Sequence, residues 1–405
     1  MFTHKYKQPK NLLSQKKQNL NYFIVFLLLA TSGMPVFSHS ISYAFLFVFL
    51  FVIFIVKRNT FDTSFIILIS ILIFLFIGQT IVFNFLPLIT VIGFFSRVFI
   101  AYFVVKILKK DFINTYSNVM CITAIYSLAI HILINIFPFS IDLLKSNFTI
   151  SVSNYGYLDM LSKYHLGFYT LIPTDILRNS GPFWEPGAFG GYLVIAFIFN
   201  IFLKKDNKYI LIAIISTFSS TAYIALLSTI YFYYFFKLKS IYMRTFYLIL
   251  IITFSLIAFS SIDMLGSKIS DQLEIASQYN GYGTNNNTQR FINILRDIQD
   301  FNGHELIGRG VNPFTRYSFN PEEQIRTVGL TDIIVKFGLP FFILMMFYIY
   351  KSFLKLSTFY ETDTYFFIGT FISVLILLAS EPYFNYPMFW VLLFISFPYN
   401  KFKRI

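Results

Sequence analysis

The stretch 178-RNSGPFWEPGAFGGYLV-194 sets Arg178, Glu185, Pro182, Pro186 and four glycines ahead of an apolar run. Pro186 directly after Glu185 suits the first turn of a helix, where a missing amide costs nothing and the fixed φ is already helical. Glu185 then stands at or near the cap, where the helix dipole favours a carboxylate. Gly187 and Gly191 are four apart on one helix face, so another helix or a ligand can approach the backbone closely. Gly181-Pro182 forms a turn that can fold Arg178 back toward Glu185. The segment reads as a rigid, charged corner from which a chain enters a membrane. A loop-to-helix cap with an Arg–Glu pair is its purely structural reading.

The rest of the chain supplies the membrane. Of 405 residues 56% are hydrophobic and 13% charged, too apolar a balance for a soluble domain of this length. Apolar segments fall near 20–37, 41–56, 64–85, 87–108, 116–138, 186–203, 209–236, 244–261, 327–350, 364–380 and 384–400, several of them long enough to cross a bilayer. The expectation is an all-α polytopic membrane protein. It has a single transmembrane domain over 1–405, about 11–12 membrane helices, and two long polar loops, 139–185 and 262–326. The single cysteine, Cys121, excludes an intrachain disulfide. The histidines are scattered without metal-ligand spacing, so no metal is expected. The basic run Lys5–Lys17 ahead of an apolar core imitates a secretory signal. It lacks a small-residue cleavage site and reads as an uncleaved first span.

The formal charge of +13 is a topology signal. Basic clusters at the N-terminus, Lys57-Arg58, Lys106–Lys110, Lys204–Lys208, Lys237–Arg244, Lys351–Lys355 and Lys401–Arg404 all fit one side. Only Lys145, Lys163, Lys268 and Lys336 fall elsewhere. Both termini are therefore expected in the cytoplasm and both long loops outside it, with no role for nucleic acid. Segment 209–236 begins and ends at clusters of the same side. At 1.5 Å per residue it makes roughly 42 Å of helix, long for one span and short for two. It reads as a hairpin of two short helices bent at 217-TFSSTAY-223, where Ser and Thr can satisfy freed backbone groups. A single long tilted helix is the other reading.

The arginines depart from the lysine pattern. Arg178, Arg290, Arg296, Arg309, Arg316 and Arg326 lie on or beside the long loops. A guanidinium fork binds phosphate or carboxylate bidentately and keeps its charge when buried. These arginines point to an anionic, phosphorylated ligand. Pairing with the local acids Asp297, Asp300, Glu305, Glu322 and Glu323 is the alternative. Arg97 sits mid-span, where a charge is costly and marks a functional candidate; its alternative is a packing role against a polar group such as Gln79. A second Glu-Pro, in 380-SEPYFNYP-387, offers Glu381 to the same cavity. In 308-GRGVNPF-314 the glycines allow close backbone approach to a ligand. Asp332 and Lys336 stand four apart and can neutralise each other. His304 and His165 are the loop histidines; His304 is kept as a candidate substrate contact.

Arg178-x-x-Gly181-Pro182-Phe183-x-Glu185-Pro186-Gly187, followed by an apolar span, resembles the signature of bacterial O-antigen and capsular polysaccharide polymerases of the Wzy type. The break at 216-STFSSTAYIALL-227 and the Gly308-x-Gly310 loop before the span starting near Thr327 resemble later elements of that family. The resemblance implies an enzyme of the bacterial inner membrane that joins lipid-linked oligosaccharide repeat units at its outer face. The growing glycan leaves undecaprenyl diphosphate for a hydroxyl on the next lipid-linked unit, without metal or nucleotide cofactor, and a chain-length regulator is a possible partner. The related O-antigen ligases, which transfer glycan to lipid A core, are the alternative. They carry a histidine where this chain has Arg326-Thr327-Val328, which moves the base to Glu185 or Glu381. A transporter or flippase would call for polar residues through many spans and an internal repeat, and neither is present. The expected catalytic residues are Glu185, Arg178 and Glu381. Arg97, Arg290, Arg309, Arg316, Arg326 and His304 are the expected substrate contacts.

Overall fold

A computed structural model of the chain describes residues 12–37, 39–137, 149–151, 164–166, 169–172, 177–235, 240–246, 290–317, 328–363 and 365–399, with a few isolated positions besides. It is an all-α polytopic membrane protein. The helices are α1 (Leu12–Gly33), α2 (Ser40–Val56), α3 (Thr63–Phe83), α4 (Leu88–Leu108), α5 (Asp111–Ile136), α6 (Pro186–Leu203), α7 (Lys208–Ser216), α8 (Ser220–Phe235), α9 (Arg290–Phe301), α10 (Pro313–Arg316), α11 (Gly329–Phe359), α12 (Phe366–Ser380) and α13 (Pro387–Phe394). Five of these, α3, α4, α5, α6 and α11, are long and apolar enough to cross a membrane. The expected span at 244–261 falls almost wholly outside the described residues.

Helix α6 is the axis of the bundle. All its residues but Gly187 and Leu203 are buried, as a helix that is apolar all round must be. Large apolar side chains elsewhere face outward, among them Val56, Phe74, Ile81 and Ile89, the surface a bilayer would cover.

Three boundaries differ from the sequence reading. Helix α1 already runs at Leu12, the first described residue, ahead of the apolar segment, because Gln and Lys continue a helix readily; Lys17 there pairs with Asp111 at 3.3 Å. The expected last span is broken into a 3-10 turn at Tyr383–Asn385, α13, and a second turn at Phe397–Tyr399. Within the first long loop lie three short antiparallel strands, β1 (Thr149–Ser151), β2 (Tyr164–Leu166) and β3 (Tyr169–Leu171). Strand β3 is tied to the corner motif by the Thr170 amide, which donates to Gly181 O at 2.6 Å.

The expected hairpin is present. Helices α7 and α8 part at Thr217–Ser219, where Phe218 takes φ 47°. Near the first turns of α6, a Cβ on Gly190 would stand 2.6 Å from Ala222. At the opposite end Tyr233 meets Phe366, and Phe366 meets Phe202. The chain therefore rises through α7, turns beside the start of α6, and returns through α8.

Candidate functional site

The hairpin tip and the corner motif hold each other. A broken helix leaves carbonyls without intrahelical donors. Ser216 O accepts the Asn179 amide at 3.0 Å, and Thr217 O accepts Arg178 Nε at 3.0 Å. Thr217 Oγ1 donates back to Ile214 O at 2.7 Å, so the Ser/Thr content of the break serves as expected. Asn179 is the clasp: its Nδ2 donates to Ser216 Oγ at 2.9 Å and to Ser127 Oγ at 3.3 Å, and its Oδ1 accepts the Gly181 amide. Gly181, at φ 51°, closes the turn; a Cβ there would reach the Phe189 ring at 2.9 Å.

Two carboxylates converge on Gly187. Its absent Cβ would stand 3.2 Å from Glu381 Oε1, 3.7 Å from Glu185 Oε1 and 3.8 Å from Ser219 Oγ. Glu185 occupies the N-cap of α6 in extended conformation but makes no cap bond to its own helix. Glu381, the residue after α12, is buried and accepts Arg290 Nη2 at 2.8 Å. Arg178 shares their field. Burial draws its guanidinium below the ordinary value, while Glu185, Tyr223 and Glu381 oppose that and Arg290 adds to it. The structure thus brings together Arg178, Glu185, Arg290 and Glu381 from three separate parts of the sequence.

Tyr383 fixes the far side. Its hydroxyl occupies the space that a Cβ on Gly191 would need and donates to Gly187 O at 3.2 Å. Burial lifts this phenol well above its ordinary value, and Glu381 and Glu185 lift it further. The expected small-residue face of α6 is real and divided: Gly190 admits α8, Gly191 admits Tyr383, and Gly187 faces the carboxylates.

Beyond Pro382 lies a cavity of about 60 Å³ whose polar lining is Thr90, Arg97, Asp332, Lys336 and Asn385. Arg97 lies over the Tyr43 ring, 5.1 Å from its centroid, and its buried Nε has no hydrogen-bond partner among the described residues. Gln79 is not its partner. That amide donates to Ile307 O at 2.6 Å and to Lys336 O at 2.9 Å. Lys336 and Asp332 do pair, at 2.5 Å, and Lys336 also donates to Asn385 Oδ1 at 2.8 Å.

Several expected contacts go elsewhere. Arg316 is fully buried and gives its fork to Asp297 at 2.6 Å, Asp300 at 3.2 Å and Asp332 at 3.0 Å. All three of its guanidinium nitrogens meet local acids in the protein interior, so an internal lock stands where a substrate contact was expected. The glycines of 308-GRG-310 allow a close approach of protein backbone. They dock on a break in α11 at Gly338, where the Arg309 amide donates to Val335 O at 2.7 Å and the Gly310 amide to Lys336 O at 3.0 Å. Arg309 Nε donates to Thr315 O, and its guanidinium lies over Phe83, the ring that His304 also meets. Arg309 and His304 form a second group around Phe83. Arg326 lies outside the described residues.

Sequence reasoning missed Asn179, Ser219 and Tyr383 as parts of this site, and with them Trp184 and Tyr386, whose rings stack with centroids 4.7 Å apart. A signal for the stacked pair was available: 183-FWEP-186 and 384-FNYP-387 share the spacing Phe-x-x-Pro, and each opens a helix at its proline. Among the described residues no group of His, Cys, Asp and Glu could hold a metal ion. Neither a protein-family model nor a curated protein matches the chain.

Proposed function

We propose that this protein is a glycosyltransferase that polymerises lipid-linked oligosaccharide repeat units at the outer face of a bacterial cytoplasmic membrane. The observation that carries this reading is the meeting of Glu185 and Glu381 at Gly187 within the field of Arg178 and Arg290. Two carboxylates with two arginines at the end of a central membrane helix suit a reaction that both removes a proton and releases a diphosphate.

In this reading the acceptor hydroxyl oxygen forms a bond to the anomeric carbon of the donor glycan. The bond from that carbon to the diphosphate oxygen breaks, and undecaprenyl diphosphate leaves with the electron pair. Glu185 takes the hydroxyl proton. Glu381 is committed to Arg290, and a carboxylate stabilised by a cation is a poor base, so it serves to orient Arg290. Arg178 and Arg290 offset the charge that develops on the leaving diphosphate. Arg97, with an unbonded Nε in the adjoining cavity, is a further contact for that group.

The test is genetic and chemical. Deleting the protein from its source cells is expected to leave single repeat units in place of long glycan. Restoring it as Glu185→Gln or Arg178→Ala, at equal protein level, is expected to leave the defect uncorrected. Normal chain length in both variants would remove the site assignment. Long polymer accumulating on the carrier lipid in the deletion would point to a ligase instead.

A further inference from the structure

The accessible part of this site is aromatic as well as charged. Trp184 and Tyr386 stack with centroids 4.7 Å apart and planes at 27°. They come from the paired helix starts at Pro186 and Pro387. Their neighbours Phe183, Tyr383 and Phe384 are buried, whereas Trp184, Glu185, Gly187 and Tyr386 are all part-exposed. The pair is anchored from behind. The Trp184 amide donates to Gly33 O at 3.1 Å, and the Tyr383 ring, whose hydroxyl reaches Gly187 O, lies 6.3 Å from the indole.

We infer that Trp184 and Tyr386 form the platform for a sugar ring of the acceptor, holding its hydroxyl toward Glu185. This rests on the reading given under Proposed function. A pyranose has an apolar C–H face and a rim of hydroxyls. It needs an aromatic surface beside hydrogen-bond acceptors, which is the arrangement here. An isoprenyl chain would place apolar carbon against Glu185 without solvation, at a desolvation cost it cannot offset. A phosphate belongs with the guanidinium groups of Arg178 and Arg290, not on an uncharged aromatic pair. The sugar ring alone satisfies both halves of the surface.

The chain has two tryptophans, and the other, Trp390, is fully buried with its indole N–H on Phe384 O. Trp184 is thus the natural optical reporter. The probe is the water-soluble oligosaccharide released by mild acid from the lipid-linked repeat units of the source cells. It is titrated onto the full-length protein in a detergent without sugar headgroups. The expected result is a saturable change in indole emission that Trp184→Phe abolishes. Undecaprenyl phosphate alone should cause no such change. A response to the lipid and not to the oligosaccharide, or to neither, overturns the proposal.

A second readout is chain length. Tyr386→Leu should shorten the glycan more than Tyr386→Phe, which keeps a ring, at equal protein level; equal chain length in the two also overturns it. If deleting the protein leaves glycan length unchanged, the polymerase reading itself has failed. If deletion abolishes long glycan but the Trp184 signal is absent, only the platform has failed.

Discussion

Glu381 and Arg290 form an asymmetric pair: Oε1 and Nη2 are 2.8 Å apart, with the carboxylate 5% and the guanidinium 31% exposed. The buried acid depends on a cation that can still reach a ligand. Removing Arg290 leaves the acid without that partner, whereas removing the charge of Glu381 frees a cation that solvent can reach. Arg290→Gln should therefore cost more stability than Glu381→Gln, by about 1–2 kcal/mol. Thermal unfolding of the two variants in detergent measures the difference. Equal midpoints would mean that the acid is solvated or held by other donors.

Arg178 uses Nε to hold the carbonyl of Thr217 at the helix break. That leaves the outer arm of the guanidinium for Glu185 or a ligand. A lysine has one ammonium and cannot do both. Arg178→Lys is expected to accumulate normally but to lose at least about tenfold in polymer formation, the cost of one misplaced charged contact. Chain-length analysis beside quantitative immunoblotting decides it; near-normal polymer would show that charge alone suffices at this position.

The corner at 178–191 and the break at 217–219 were legible because glycine, proline, serine and threonine act locally. They set φ, remove donors or supply them within a few residues. The same local logic failed at Gly308 and Arg316. An arginine among acids looks alike in sequence whether its fork is saturated internally or open to a phosphate. Only the packing of α9 and α10 on α11 brings Asp297, Asp300 and Asp332 around Arg316. Glu381 was legible as a candidate from its Glu-Pro step. Arg290 was legible as a candidate too, but its pairing with Glu381, some ninety residues away, was not, since nothing in the sequence encodes it.

Arg316 gives a stability prediction that separates it from the site. Its guanidinium and the three carboxylates are almost wholly excluded from solvent. Removing one partner from a buried ionic group leaves charge without compensation, at about 3–5 kcal/mol. Arg316→Met should therefore greatly reduce the amount of monodisperse protein in detergent size-exclusion chromatography, while Arg178→Ala does not. Abundant, well-folded Arg316→Met lacking polymer would return Arg316 to the substrate contacts.

His304 gives a pH prediction. Burial and Arg309 hold its imidazole below the ordinary 6.5, with Glu305 opposing. The unfolded chain therefore binds the proton first as pH falls, and stability contributed by the neutral ring is lost as pH drops below about 6.5. Unfolding midpoints should decline between about pH 7 and pH 5, and His304→Gln should make that decline shallower. A decline as steep in His304→Gln would assign the acid sensitivity to other groups.

Gly303, Gly308 and Gly338 all have positive φ, yet they should respond differently to substitution. A Cβ on Gly303 meets nothing within 4 Å, so Gly303→Ala bears only the left-handed backbone cost of about 1–2 kcal/mol. A Cβ on Gly308 would stand 2.6 Å from Gly338 N and from Lys336 O, and one on Gly338 would stand 2.4 Å from Leu306 O. Neither loop nor helix can give way without breaking the hydrogen bonds that the Arg309 and Gly310 amides donate to the interrupted α11 and the one its Leu339 amide donates to Glu305 O. Gly308→Ala and Gly338→Ala should each lower the unfolding midpoint well beyond Gly303→Ala. The double variant should cost less than the sum of the two, because both open the same joint. If the two effects add fully, the loop and the broken helix do not depend on each other.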